Sequence, residues 1–217
     1  MRVAVLGSGI VGKTLAAGFA ARGHEAVMGS RTPDRADITD WLAGQGPTAR
    51  AASLSEAAAF GELAVLATRW DGTKSAIDLT GPEHLAGKVV IDATNPMGMR
   101  DGRLRLLLGF DESAGEWVQQ WLPDSKVVKA FNSVSYALMI DPDLPGGPPD
   151  MFIAGDDGQA KAHVTTILHD FGWPVIDAGD ITASRLLEPL AMLHADYWVR
   201  TGELLHAFRM LMPTPHQ

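Results

Sequence analysis

Apolar residues fall in two rhythms along this chain. The runs Val3-Ala4-Val5-Leu6, Leu63-Ala64-Val65-Leu66, Val89-Val90-Ile91 and Val127-Val128 are apolar at every position rather than at every second one. That marks strands covered on both faces, as in a parallel sheet between helices. Between the runs the spacing becomes helical, as in Val11, Leu15 and Phe19 at i, i+4 and i+8. The pattern predicts strands over 2–7, 25–29, 63–67, 87–92, 126–130, 151–154 and 174–177, and helices over 10–22, 36–44, 54–60, 72–79, 113–122, 158–171 and 183–211. This alternation implies an α/β fold: a doubly wound, mostly parallel sheet with helices on both faces and a short C-terminal helical portion. One domain is expected over 1–217, with the sheet core in 1–180 and the helical portion in 181–217. The Pro/Gly-rich stretch from Pro142 to Pro149 lies between apolar runs and reads as a long loop inside that domain.

The first run leads directly into Gly7-Ser8-Gly9-Ile10-Val11-Gly12-Lys13-Thr14, where two motifs overlap. G-x-G-x-x-G opens a helix whose N-terminus holds a dinucleotide pyrophosphate, whereas G-x-x-x-x-G-K-T wraps a nucleoside triphosphate. In the first the helix begins inside the glycines; in the second it begins near the lysine. Val11 already belongs to the helical stripe, and Ile10 and Val11 are poor lining for a phosphate cage. The dinucleotide reading, and with it a Rossmann-type sheet, is therefore favoured, and Lys13 becomes a helix-surface residue. A P-loop NTPase stays as the lesser alternative, with Asp92 after Val89-Val90-Ile91 as its magnesium-orienting acid; a polar residue ending a buried strand is the plainer account.

The next strand end selects among dinucleotides. NAD-specific folds place an acid about 20 residues after the glycines, on the ribose 2′-hydroxyl. Here Ser30 and Arg31 stand instead, and a hydroxyl and a guanidinium suit a 2′-phosphate. The expected cofactor is NADP(H).

Composition narrows the surroundings. The chain has 217 residues, 46% of them hydrophobic and 20% charged, an ordinary balance for a globule with a full core. No stretch is long and apolar enough for a membrane span, and with a strand expected at the start of the sequence no signal peptide is expected. The lack of cysteine excludes disulfides and Cys-ligated zinc, so the expected compartment is cytoplasmic. A formal net charge of −8 argues against nucleic acid or an anionic membrane as partner. Expected partners are small-molecule redox cofactors.

Little in the chain suggests acid–base or metal chemistry. The histidines form no H-E-x-x-H pattern, His163 and His169 do not share a helix face, and Asp156-Asp157 reads as a turn and helix cap. Trp117 and Trp121 form an amphipathic packing stripe. No catalytic side chain and no metal ligand is expected, which suits hydride transfer between two flat rings, where positioning matters more than an acid or base. The stretch from Met97 to Phe110 sets Arg100, Arg103 and Arg105 beside Leu106-Leu107-Leu108 after a strand end. It reads equally as a cover for an anionic cofactor and as a surface excursion held down by its leucines.

Six blocks in order carry a resemblance: Val5 to Gly12, Gly29-Ser30-Arg31, Ile91 to Pro96, Ser113 to Glu116, Val127 to Val134 and Asp150 to Asp157. They resemble the NADPH-dependent coenzyme F420 reductases and the cytosolic oxidoreductase domain of the STEAP metalloreductases, from Arg2 to about Leu193. The resemblance implies a compact NADP-binding fold with a deazaflavin or flavin ring stacked on the nicotinamide. By position it sets Gly7, Ser8, Gly9, Ile10 and Val11, with Gly12 of the same motif, at the pyrophosphate, and Ser30 and Arg31 at the 2′-phosphate. Arg35 either assists or is merely solvated. Thr68, Arg69 and Trp70 pass beside ribose and adenine or form an ordinary turn. Asn95 binds ribose or nicotinamide or makes an Asx turn, and Ala130, Phe131 and Asn132 lie near the nicotinamide. Where the deazaflavin reductases carry a His-Thr pair this chain has Asn132-Ser133, which leaves the second cofactor open between F420 and FMN or FAD.

The expected function is hydride transfer between NADP(H) and F420 or a flavin, without a dedicated acid or base. A non-catalytic NADP(H)-binding redox sensor is the alternative from another class. The C-terminal stretch carries apolar residues around more of the helix than one core-facing stripe needs, from Leu186 through Leu193, Tyr197 and Trp198 to Leu211. A homodimer through this region is expected; the competing reading is a break near Gly202 that folds the end back onto its own domain.

Overall fold

The computed structural model describes residues 1–213. Its first half alternates regularly: β1 (Arg2–Leu6), α1 (Ile10–Ala21), β2 (Glu25–Ser30), α2 (Ala36–Ala43), β3 (Ala49–Ser53), α3 (Leu54–Phe60), β4 (Leu63–Leu66), α4 (Trp70–Thr80) and β5 (Val89–Asp92). A hairpin of β6 (Met97–Arg100) and β7 (Arg103–Leu106) follows, then α5 (Ala114–Trp121) and β8 (Lys126–Lys129). β9 (Met151–Ile153), α6 (Gly158–Asp170), β10 (Val175–Asp177) and α7 (Ser184–Thr201) complete the chain.

Six parallel strands make the central sheet in the order β3-β2-β1-β4-β5-β8. The chain starts in the middle, winds to one edge through β2 and β3, then returns to build the other half from β4. β1 and β4 therefore flank the point where the winding reverses, the crevice in which doubly wound sheets take their ligands. β9 and β10 form a small parallel pair, tied to the end of β8 by an antiparallel bridge between Lys129 and Ala154.

The continuous apolar runs are explained by two cores. Val3 and Val5 face one with Leu15, Phe19 and Phe171; Ala4 and Leu6 face the other with Leu54, Ile77 and Val118. Trp117 and Trp121 join Trp70 in a row, with Trp70 and Trp121 stacked at 5.5 Å, and Trp70 and Trp121 pack on the second core. Asp157 caps α6 by accepting from the Ala160 amide at 2.8 Å, and Asp156 accepts from the Ile181 amide at 2.9 Å.

Three elements differ from the sequence expectation. β3 is an edge strand built on Ala49-Arg50-Ala51-Ala52-Ser53, without a β-branched residue, and it exists through its pairing with β2. Residues 97–106 form a hairpin rather than an irregular excursion; Asp101 and Gly102 take φ of 50° and 71° at its tip, the geometry of a type I′ turn. The C-terminal helix stops at Thr201 instead of running to 211, because Gly202 adopts the left-handed conformation that ends a helix.

Beyond Gly202 the chain turns back. His206 stacks on His194 at 4.0 Å, and the Phe208 carbonyl accepts from the Asp150 amide at 2.9 Å. Residues 214–217 of the expected C-terminal portion lie outside the described residues. No helix among the described residues is long and apolar enough to cross a membrane.

Candidate functional site

A cavity of about 760 Å³ opens at the carboxyl ends of β1, β2 and β4, within the range of small-molecule sites. Of the residues expected to bind a dinucleotide, Gly7 to Val11, Ser30, Arg31, Arg35, Thr68 and Arg69 line it together. Ala93, at the end of β5, closes its far side.

The three glycines are required for different reasons. Gly7 has φ +132°, and a Cβ there would stand 2.4 Å from the Ala67 carbonyl oxygen; a Cβ on Gly12 would stand 2.0 Å from the Gly7 carbonyl oxygen. Gly7 lets the end of β1 pass close to the chain leaving β4, and Gly12 lets α1 approach the end of β1. A Cβ on Gly9 would meet nothing within 4 Å. The protein itself does not demand glycine at Gly9, and the space beside it belongs to whatever enters the cavity. Gly9 is also the N-cap of α1, with no side-chain cap, so the first amides of the helix have no partner within it. A helix start of this kind favours an anion. α1 begins at Ile10, inside the glycine motif.

At the end of β2, Ser30 is buried; its hydroxyl accepts from the Thr32 amide at 3.2 Å and lies 3.3 Å from the Ser8 hydroxyl. Arg31 is exposed on the cavity wall. Unlike its neighbours it has no acidic partner among the described residues: Arg35 grips Asp37, and Arg69 pairs with Asp71 at 3.0 Å. Lys13 points away from the glycine loop, donating to Asp37 Oδ2 and to the Asp37 carbonyl, each at 2.8 Å. Arg35 and Lys13 together hold the Asp37 carboxyl far below the usual aspartate range. The Thr68 hydroxyl is engaged with that of Thr73 at 2.9 Å.

The remaining expected residues lie deeper. Ala130 and Phe131 are completely buried in the core and do not line the cavity with their side chains. Phe131 holds φ of 62°, a strained value for an aromatic residue, with its amide directed at Met151 Sδ at 3.2 Å. Asn95 donates to the Asn132 carbonyl at 2.7 Å; Asn132 donates to the Leu187 carbonyl at 2.8 Å and to Asn95 Oδ1 at 3.2 Å. Asn132 Oδ1 is buried without a hydrogen-bond donor.

Sequence reasoning passed over the cluster beneath these residues. Lys129 is wholly buried between Asp92 at 2.8 Å and Glu188 at 2.9 Å, and donates to the Thr94 carbonyl at 2.9 Å. Asp92 Oδ1 accepts from the amide and hydroxyl of Thr94; its Oδ2 has no hydrogen-bond donor and meets the ammonium as a charge. Glu188 accepts from the Ala114 and Gly115 amides at the start of α5. The signal was available: Lys129 ends an apolar strand where a lone charge must find a partner, and Asp92 faces it in register. Asp92 is thereby a structural ion-pair partner, not a magnesium-orienting acid.

The chain matches the family model described as NADP oxidoreductase coenzyme F420-dependent over residues 2–96. It is 32% identical over 204 residues to the F420-dependent NADP reductase of Methanocaldococcus jannaschii, spanning 89% of this chain and 90% of that protein. It is 29% identical over 199 residues to the metalloreductase STEAP3 of Rattus norvegicus, spanning 91% of this chain and 38% of that longer protein. A solved structure from Arthrobacter sp. FB24, described as a provisional F420-dependent NADP reductase, shares 37% identity and a TM-score of 0.93 over 98% of this chain and 100% of that one.

Proposed function

We propose that this chain, which belongs to the coenzyme F420-dependent NADP oxidoreductase family, carries hydride between NADP(H) and coenzyme F420 in the cavity at the ends of β1, β2 and β4. The observation that carries the proposal is the pairing of Gly9, open to ligand space, with Arg31, a guanidinium without an acidic partner among the described residues, where an NAD site has an acid. Gly9 and the first amides of α1 hold the pyrophosphate, and Ser30 and Arg31 hold the 2′-phosphate. The Asn95–Asn132 pair shapes the nicotinamide end. NADPH, when bound, supplies the hydride. The protein's own task is to orient two rings and exclude water, and no cavity-lining side chain is asked to move a proton.

The triphosphate alternative loses its two key groups, since Lys13 is committed to Asp37 and Asp92 to Lys129. A redox sensor would share every nucleotide contact and differ in lacking turnover. The test is to mix the protein with NADPH and, in turn, F420, FMN and FAD, and to follow the nicotinamide absorbance. Oxidation of NADPH by F420 supports the proposal; tight NADPH binding without oxidation by any of the three supports the sensor.

The assembly proposed is a homodimer through α7. Leu186, Leu190, Leu193 and Tyr197 recur at i, i+4, i+7 and i+11 on the side of α7 away from buried Leu187, Glu188, Ala191 and His194. Light scattering should give the dimer mass, and Leu186→Glu with Leu193→Glu should give monomers.

A further inference from the structure

The β6–β7 hairpin does not line the cavity, and nucleotide binding does not account for it. It leaves the sheet shortly after Ala93, which lines the cavity, and β6 packs beside α4, whose first turn also lines it. In its register Arg100 faces Arg103, Gly98 faces Arg105, and Met99 faces Leu104. Directly opposed residues share a face, and faces alternate along a strand. Arg100, Arg103 and Arg105 therefore stand together on one side of the ribbon, and the methionines and leucines on the other.

All three arginines are exposed, while Leu104 and Leu106 are half-buried and β7 packs beside α7. Among the described residues none of the three meets an acid, in contrast to Arg35 and Arg69 on the cavity rim. The single acid of the hairpin is Asp101 in its turn. Three guanidiniums on one small ribbon, unpaired among the described residues, repel one another in a chain whose net charge is −8. They occupy two levels, Arg105 nearer the sheet and the Arg100–Arg103 pair at the tip, two residues and so about 7 Å apart. A single phosphate would engage one level; an extended chain of anionic groups would engage both. The tight turn holds the row on a rigid element.

We infer that this arginine face binds the anionic tail of the hydride acceptor, an extended chain of phosphodiester and carboxylate groups such as F420 carries, while the acceptor's ring enters the cavity. The inference rests on the function proposed above and adds to it the acceptor's charge as a recognition element.

The test compares the unaltered protein with the triple variant Arg100→Gln, Arg103→Gln, Arg105→Gln. Direct binding of F420, FMN, riboflavin and NADPH is measured by titration calorimetry at low and high salt. Thermal melting confirms that the exposed substitutions leave the fold intact. The expected result is an F420 Kd raised about tenfold or more in the variant, as loss of charge-assisted contacts implies, with a flatter salt dependence. FMN should lose less, and riboflavin and NADPH nothing. Equal F420 affinity in the two proteins, an equal loss for riboflavin, or no F420 binding by the unaltered protein would overturn the inference. Arginine-dependent F420 binding without NADPH oxidation would instead overturn the proposed hydride transfer and leave the arginine face standing as a binding site.

Discussion

At the carboxyl ends of β1 and β2 the polar groups of this molecule face outward, and at the ends of β5 and β8 they face one another. The first region offers a helix start without a side-chain cap, a glycine with open space beside it, and a guanidinium without an acid among the described residues. The second closes on itself: Lys129 is met by Asp92, Glu188 and the Thr94 carbonyl. On the proposed function a ligand would complete the first region, whereas the protein completes the second. Substitutions should therefore act on binding at the first and on stability at the second.

The largest effect is expected at Lys129. Lys129→Met leaves two buried carboxylates without their cation, and breaking a buried pair in this way costs about 3–5 kcal/mol. Urea unfolding should show that loss, and a change below about 1 kcal/mol would mean that the cluster is not a structural unit. The effect also has a pH signature. Burial works against the Lys129 ammonium, but Asp92 and Glu188 outweigh it and hold the group above the ordinary lysine value. A basic group raised in this way contributes fully below the unfolded lysine pKa of about 10.4 and loses its contribution as pH climbs through the folded value. The lysine's own contribution to the stability of the unaltered protein should stay constant through neutral pH and fall in alkali.

The glycines carry the comparison inside a single motif. Gly12→Val drives a Cβ toward the Gly7 carbonyl oxygen, 2.0 Å away. Backbone cannot yield as a side-chain tip can, so a loss of at least about 1–3 kcal/mol is expected. The Cβ of Gly9→Val meets no protein atom within 4 Å, so the melting temperature should stay near that of the unaltered protein while NADPH binding disappears. Retained NADPH affinity in Gly9→Val would move the pyrophosphate away from this loop.

What could be read from the sequence divides along the same line. The open region was legible because its residues are local in the chain: the glycines, the helical stripe starting at Val11, and Ser30-Arg31 at the next strand end. The parallel sheet was legible from runs that feed two cores at once, as Val3 and Ala4 do. The closed region was not, because Asp92, Lys129 and Glu188 meet only through β5–β8 pairing and the return of α7. β3 is likewise made by its neighbour β2 rather than by its own alanines. The hairpin was legible in principle, since Asp101-Gly102 between alternating residues is a turn signal. The end of α7 at Gly202 followed the competing reading of the C-terminal stretch, while the stripe from Leu186 to Tyr197 remains exposed or half-buried.

A smaller effect, on selectivity alone, is expected at Arg31. The guanidinium has no acidic partner among the described residues to release, so Arg31→Ala should leave stability unchanged. Loss of a charge-assisted contact of about 1.5–3 kcal/mol should lower NADPH affinity at least about tenfold. NADH affinity should not move. Parallel titrations of both nucleotides decide this, and equal NADPH and NADH affinities in the unaltered protein would remove the basis for a 2′-phosphate site.

The smallest effect is expected at Lys13, and it tests the boundary between the two regions. Lys13 sits in the glycine motif by sequence, yet its ammonium is spent on Asp37, which Arg35 also holds. Removing it deletes a salt bridge at the surface, and such pairs contribute about 0–1 kcal/mol. Asp37 keeps Arg35, so no carboxylate is left alone. Lys13→Ala should therefore change NADPH affinity by less than about twofold, a fraction of a kcal/mol, and should confer no response to ATP. A large loss of NADPH affinity would show that the lysine leaves Asp37 to meet phosphate when the cavity fills. The open region would then extend one residue beyond the last glycine of the motif, Gly12.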